Sequence, residues 1–411
     1  YVKDIKINLG DPRNPEGNFE EVNKINPLKD KLDELIMLKE TYTVSLFLPL
    51  MLDKNSQIPV VVNQPKKINP VTEMSTHFYQ GVELALDSVS INGVSFELNV
   101  YDTESDTNQV KKYLRTNEIK KSDLIIGPFM EKTYSQVAEF SKTNQIQAVS
   151  PILREGNRLL FNNEYVTKIQ PSFPTQIDYL ANYIAENKNT ENVICIAGKS
   201  KEDKYLASLF KKTYDTNIKD KTDNYRSSVS MFNLVSFSSM NGFDVKLVKG
   251  KKNVIILPIT QEGLATSFFT QLNIMMSRSR MKGYEIEIYA LDNFLDNESV
   301  ETSLKLKYNL HLTSSTFIDY HSERVQAFVR DYRKRFGSEP SKLAFMGYDL
   351  AYYYAVGLST YGKNYDKFYG HIQVPLIQTK YNLQRSDVKS GFENRNIFIL
   401  QYKDYELVKV N

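Results

Sequence analysis

The sequence predicts an α/β fold built from doubly wound parallel-sheet units. Three observations predict it: short apolar runs alternate with helical patterns from residue 42 onward, several runs are apolar nearly throughout, and 411 residues supply two or three cores. A strand covered by helices on both faces has no exposed side to keep polar, so continuous apolar runs mark parallel strands.

Residues 1–41 read as a polar leader. Pro12, Pro15 and Pro27 interrupt it, and Leu28, Leu32, Leu35, Ile36 and Lys39 then fall at helical spacing, predicting a linker that ends in one short amphipathic helix. Strands are predicted at 43–50, 95–101, 123–126, 145–149, 192–197, 253–257, 285–291 and 310–314. Helical windows lie between them, with Phe78, Val82, Ala85, Leu86 and Val89 on one stripe and Ile177, Leu180 and Ile184 on another. Ligands of such sheets bind beyond the carboxyl ends of the strands, so the residues just after each strand matter most. Residues 53–74 separate the first strand from its helix by a long stretch carrying Pro59, Pro65 and Pro70. Two readings stay open: a tolerated surface insertion, or a lid springing from a ligand-side strand end.

Lys plus Arg number 52 and Asp plus Glu 49, a net charge of +3 that lacks the basic excess of a nucleic-acid or acidic-membrane binder. No apolar run approaches the roughly 20 residues of a membrane span. Targeting stays unread in a sequence that opens at Tyr1, and the single cysteine, Cys195, leaves the redox compartment open.

Enzymatic motifs are missing. Gly198-Lys199-Ser200 looks like the end of a phosphate-binding loop, but the first glycine of that motif would fall on Val193, inside a strand. There is no G-x-S-x-G, H-E-x-x-H, C-x-x-C or G-x-G-x-x-G. Cys195 sits in an apolar run as a small hydrophobe, and His77, His311, His321 and His371 share no metal-ligand spacing. A non-enzymatic chain with no cofactor and no metal is the reading.

Gly127-Pro128 ends one predicted strand at a sharp turn ahead of a helix, and Ser150-Pro151 ends the next, so two neighbouring loops offer backbone N–H groups to an anion such as a carboxylate; a plain strand-to-helix turn is the alternative for each. The order Ser122-Asp123-Leu124-Ile125-Ile126-Gly127-Pro128-Phe129, Ala148-Val149-Ser150-Pro151, Ile169-Gln170-Pro171-Ser172 with Gln176, Phe336-Gly337 with Pro340, and Met346-Gly347-Tyr348-Asp349 resembles the type I periplasmic binding proteins. The leucine/isoleucine/valine-binding branch is the most similar, over about residues 42 to 411. Asp387 to Gly391 and Ile397 to Tyr402 look like that family's closing hairpin.

The resemblance implies two doubly wound lobes joined by three crossovers, with lobe one at 42–172 plus 320–378 and lobe two at 173–319 plus 379–411. It implies a solute-binding protein of the periplasm or cell envelope, of the lipoprotein kind, that closes on a small polar ligand, an amino acid among the candidates, and serves an ABC-type importer with its permease. The alternative is a receptor or regulatory module with an envelope or cell-wall partner. Ligand-contacting positions carried over are Pro128, Phe129, Met130, Thr133, Ser150, Ile152 and Arg154 in lobe one, and Glu202, Thr260, Asp292 and Asn293 in lobe two. The family's small hydroxyl residues are largely replaced in the loops at 129–133 and 152–155, where Arg154 offers a bidentate carboxylate clamp or an exposed partner for Glu155 or Glu131. Asp292 matches the family's acidic partner for a ligand ammonium, or caps the next helix. The aromatic walls expected in lobe two fall near Glu202 and Pro258-Ile259-Thr260, which are not aromatic.

Overall fold

The computed structural model describes residues 36–56, 68–90, 93–155, 157–219, 229–234 and 240–410. Chain order through the first half is β1 (Thr41–Leu48), α1 (Leu52–Ser56), α2 (Pro70–Ser90), β2 (Ser95–Asp102), α3 (Thr107–Leu114), β3 (Leu124–Ile126), α4 (Glu131–Asn144), β4 (Ala148–Ser150) and β5 (Val166–Lys168). Next come α5 (Phe173–Asn187), β6 (Asn192–Ala197), α6 (Lys201–Lys219), β7 (Ser230–Asn233), β8 (Lys252–Leu257), α7 (Glu262–Met276), β9 (Glu285–Ala290), α8 (Thr302–Lys307) and β10 (Leu310–Ser314). The chain closes with α9 (Glu323–Phe336), α10 (Lys342–Tyr361), β11 (Leu383–Gln384), β12 (Phe392–Asn394), β13 (Phe398–Lys403) and β14 (Glu406–Lys409).

Two seven-stranded sheets result, ordered β11-β12-β5-β4-β3-β1-β2 and β14-β13-β10-β9-β8-β6-β7. Each repeats one plan: the second strand pairs outside the first, the third pairs on its other side, and all are parallel. Helices cover both faces, as the apolar runs require. In lobe one α2 and α10 pack over Val44, Leu46 and Ile126, while Phe47 and Ile125 face the opposite layer with Val110 and Val137. In lobe two α7 meets Ile194, Ile255 and Ile288, and α5 with α6 covers Val193, Cys195 and Val254.

The α2–α10 contact depends on two reciprocal glycines. A Cβ on Gly81 would stand 2.0 Å from the Ala344 carbonyl oxygen, and one on Gly347 would stand 2.2 Å from that of Phe78. The helices touch backbone to backbone.

The chain passes between the sheets three times, and the last passage corrects an expectation. The resemblance places residues 379–394 in lobe two, yet Phe392 and Glu393 pair with Thr167 and Lys168 of β5, and Leu383 pairs with Asn394, all in the first sheet. The physical reason is Asn394, fully buried, whose Nδ2 donates to the Ile169 carbonyl at 3.2 Å while its Oδ1 accepts the Asn382 N–H at 2.9 Å. The chain crosses only after this anchor, at 395–397.

Most of the predicted leader helix lies outside the described residues. Its described end is not helical: Met37 forms a bridge with Gly362, the Lys39 ammonium pairs with Asp123, and the Lys39 N–H donates to the Tyr42 hydroxyl. Of the long loop at 53–74, the ends are helical in α1 and α2, with Asn69 Oδ1 accepting the Val71 N–H at 2.9 Å; residues 57–67 lie outside the described residues.

Asp349 on α10 is fully buried and accepts the N–H groups of Ile377 at 2.7 Å and Gln378 at 2.9 Å. Burial outweighs these donors and pushes its carboxyl from 3.8 up to about 7. A carboxyl raised on folding contributes stability that is fully present below its unfolded value and is lost as pH rises through the folded one. Unfolding free energy is therefore expected to decline from about pH 4 to about pH 7, and Asp349→Asn to flatten part of that decline. Urea denaturation at both pH values checks this, and an equal decline in the variant would remove the assignment.

Candidate functional site

Both sheets reverse their winding direction at one place, between β1 and β3 in lobe one and between β6 and β8 in lobe two. Crevices outside the strand ends at such points are where open α/β sheets hold ligands. In lobe one the turn after β3 is set by Gly127, at φ +81°, where a Cβ would meet the Phe47 carbonyl oxygen at 2.4 Å. Pro128 follows, and Phe129 is buried with its ring edge-on to Phe78.

Other lobe-one candidates are occupied locally. Thr133 is buried and its hydroxyl donates to the Met130 carbonyl at 2.9 Å, closing the first turn of α4; Met130 itself is exposed. Ser150 Oγ accepts the Leu153 N–H at 3.3 Å, and Ile152 packs on the lobe-one core. Arg154 is different. Its guanidinium lies 5.0 Å from the Phe173 ring centroid and donates across to Asp292 Oδ2 at 3.0 Å, joining a lobe-one loop to the end of β9 in lobe two.

Each end of this ion pair is held from behind. Lys168, with no exposed surface, donates to the Arg154 carbonyl at 2.5 Å and to Asn157 Oδ1, and its ammonium lies 3.5 Å from Glu393. Burial pushes the Lys168 ammonium down and Glu393 partly restores it. Glu393 also accepts the Ser172 N–H at 2.7 Å and the Thr175 hydroxyl at 2.8 Å, so one buried network ties the Arg154 loop to two interlobe passages. On the other side, Gln176 Oε1 accepts from the Asp292 N–H at 3.3 Å and the Thr313 hydroxyl at 2.7 Å. Burial raises the Asp292 carboxyl, and Arg154 and Gln176 offset part of that.

The loops after β6 and β8 join here. Asp203, fully buried, accepts the Thr260 N–H at 2.9 Å and the Thr260 hydroxyl at 3.0 Å through Oδ1. Asn293 Nδ2 donates to the Ile259 and Thr260 carbonyls at 3.2 and 3.4 Å. Thr260 is thus gripped from both sides. Glu202 is exposed at the rim, and it is its neighbour Asp203 that faces inward. Gly198 makes room for that carboxylate: a Cβ there would lie 2.4 Å from Asp203 Oδ2.

Four buried polar atoms in this cluster have no hydrogen-bond partner: Arg154 Nε, Asp203 Oδ2, Asp292 Oδ1 and Asn293 Oδ1. Sequence reasoning missed Asp203, Lys168 and Glu393. Only Asp203 carried a signal, the serine-then-acid spacing of Ser200 and Asp203 at a helix start, where Ser200 Oγ accepts the Asp203 N–H at 2.9 Å. Among the described residues, no group of three or more His, Cys, Asp and Glu side chains is placed to hold a metal, and no helix is long and apolar enough to cross a membrane. Cys195 is buried, which pushes its thiol up, away from the nucleophilic thiolate.

No family model and no curated protein matches the sequence. Among solved structures, a putative branched-chain amino acid ABC transporter protein from Rhodospirillum rubrum is 11% identical, with a TM-score of 0.64 over 90% of this chain and 100% of its own. An ABC transporter substrate-binding protein from Desulfitobacterium hafniense, in complex with Leu, is 16% identical with a TM-score of 0.58 over 90% of this chain and 100% of its own. Full-length LpoA from Haemophilus influenzae is 14% identical with a TM-score of 0.55, over 92% of this chain and 60% of its own. Two wound sheets of one plan, three passages between them and these likenesses together establish the two-lobe fold of the type I periplasmic binding proteins.

Proposed function

We propose that the chain is a non-enzymatic solute-binding protein of the cell envelope that closes its lobes on a small zwitterionic solute, an amino acid, and serves an ABC-type importer. The observation that carries this is the Arg154–Asp292 pair. A cation from one lobe and an anion from the other meet at the sheet ends, and each keeps an unpartnered buried atom, Nε and Oδ1. A zwitterion entering between them presents a carboxylate to Arg154 and an ammonium to Asp292, and each charge-assisted hydrogen bond contributes roughly 1.5–3 kcal/mol once water is excluded. The leucine-bound D. hafniense neighbour supports the solute class, and the substrate-binding neighbours support the envelope and the importer.

Thermal unfolding with an amino-acid panel tests the reading. A true ligand at 100 times its dissociation constant adds about 2.7 kcal/mol of stability. Arg154→Ala and Asp292→Asn are each expected to abolish the shift while the protein still melts cooperatively. A panel without any shift, or shifts unchanged in both variants, would sink the proposal.

The second reading, a receptor or regulatory module with an envelope partner, is favoured by the same pair seen differently: the cleft is latched by the chain's own side chains. Under that reading no solute moves the melting temperature, and Arg154→Ala lowers it by itself.

A further inference from the structure

The unpartnered atoms around the cleft are unequal in kind. Arg154 Nε is the one donor; Asp203 Oδ2, Asp292 Oδ1 and Asn293 Oδ1 are acceptors, all on lobe two. Buried acceptors without donors are costly, and a carboxylate oxygen more so than an amide. Asp203 has no exposed surface, and its free oxygen stands over Gly198 at the end of β6, while Asp292 stands at the end of β9. One strand, β8, lies between β6 and β9, so the two carboxylates belong to loops that are not adjacent on the sheet edge. Two exposed carboxylates extend the acidic rim: Glu202 beside Asp203, and Glu155 beside Arg154 on the facing lobe, close enough for each to feel the other's charge. Lys199 and Lys201 flank the same turn, but both are exposed and neither reaches Asp203 with a hydrogen bond or ion pair.

An aliphatic amino acid supplies one ammonium, enough for Asp292, and would lay hydrocarbon against the Asp203 carboxylate. A second cationic group at the far end of the solute removes that penalty. We infer that the solute is a basic amino acid, its carboxylate on Arg154, its α-ammonium on Asp292, and its side-chain cation taken by Asp203 with Glu202 and Glu155 at the rim. This rests on the proposed solute-binding reading and adds the side-chain class.

Calorimetric titration of the whole chain with L-lysine, L-ornithine, L-arginine, L-leucine, L-isoleucine and L-glutamate tests it. At least one basic amino acid is expected to bind about tenfold or more tighter than leucine. Asp203→Asn is expected to remove that preference by weakening the basic ligand about tenfold more than it weakens leucine. Because Asp203 also grips Thr260, the exposed Glu202→Gln serves as the second variant and should weaken the basic ligand several-fold. Leucine or isoleucine binding as tightly as the basic amino acids overturns the inference and leaves the solute-binding reading standing. No binding by any of the six overturns both. Unchanged affinity for the basic ligand in both variants also overturns the inference.

Discussion

Gly347→Ala is expected to destabilise lobe one by about 3 kcal/mol or more. The added Cβ would sit 2.2 Å from the Phe78 carbonyl oxygen and 3.2 Å from the Val82 nitrogen, so it meets backbone on both sides with no flexible side chain to yield. Overpacking a core commonly costs about 1–3 kcal/mol, and separating two helices along their contact belongs at or above the top of that range. Against a total stability of about 5–15 kcal/mol, that loss shows as a shifted denaturation midpoint or an insoluble product. Gly81→Ala, whose Cβ meets the Ala344 oxygen from the opposite helix, should behave alike. Gly263→Ala, near the start of α7 with nothing within 4 Å of its Cβ, is the control and should stay within about 0.5 kcal/mol. Indistinguishable midpoints for Gly347→Ala and Gly263→Ala would refute the helix contact described above.

The second large effect belongs to Glu393. Removing it by Glu393→Ala leaves the buried Lys168 ammonium with only the neutral Arg154 carbonyl and Asn157 amide oxygens as hydrogen-bond partners, and strands the Ser172 N–H. Breaking a buried ion pair from one side costs about 3–5 kcal/mol. Replacing both members, as Lys168→Met with Glu393→Leu, removes the stranded charge and should recover much of that loss. Urea midpoints for the single and double variants check it. A single variant as stable as the wild type, or a double variant worse than the single, would contradict the network.

The alternation of apolar runs and helical stripes made the sheets readable from sequence, and two of the strands it missed share a physical cause. Val166–Lys168 and Phe392–Asn394 are short and carry Thr167, Lys168, Glu393 and Asn394 inward, so the core at that edge is partly polar and leaves no apolar run. Ser230–Asn233 lies at a sheet edge and is half-buried. Arg154 and Asp292 are each readable as candidates, but their meeting across 138 residues depends on how the two sheets come together, which spacing cannot encode. Asp203 was within reach. Asp203, Leu206, Ala207, Phe210 and Tyr214 form the buried stripe of α6, and Glu202 falls off it, so the phase of that helix already distinguishes the inward carboxylate from the outward one.

The docking of Met37 on Gly362 and of Lys39 on Asp123 assigns the two halves unequal mechanical parts. The described start of the chain is fastened beside β1 of the first sheet, at Gly362 on one side and Asp123 on the other.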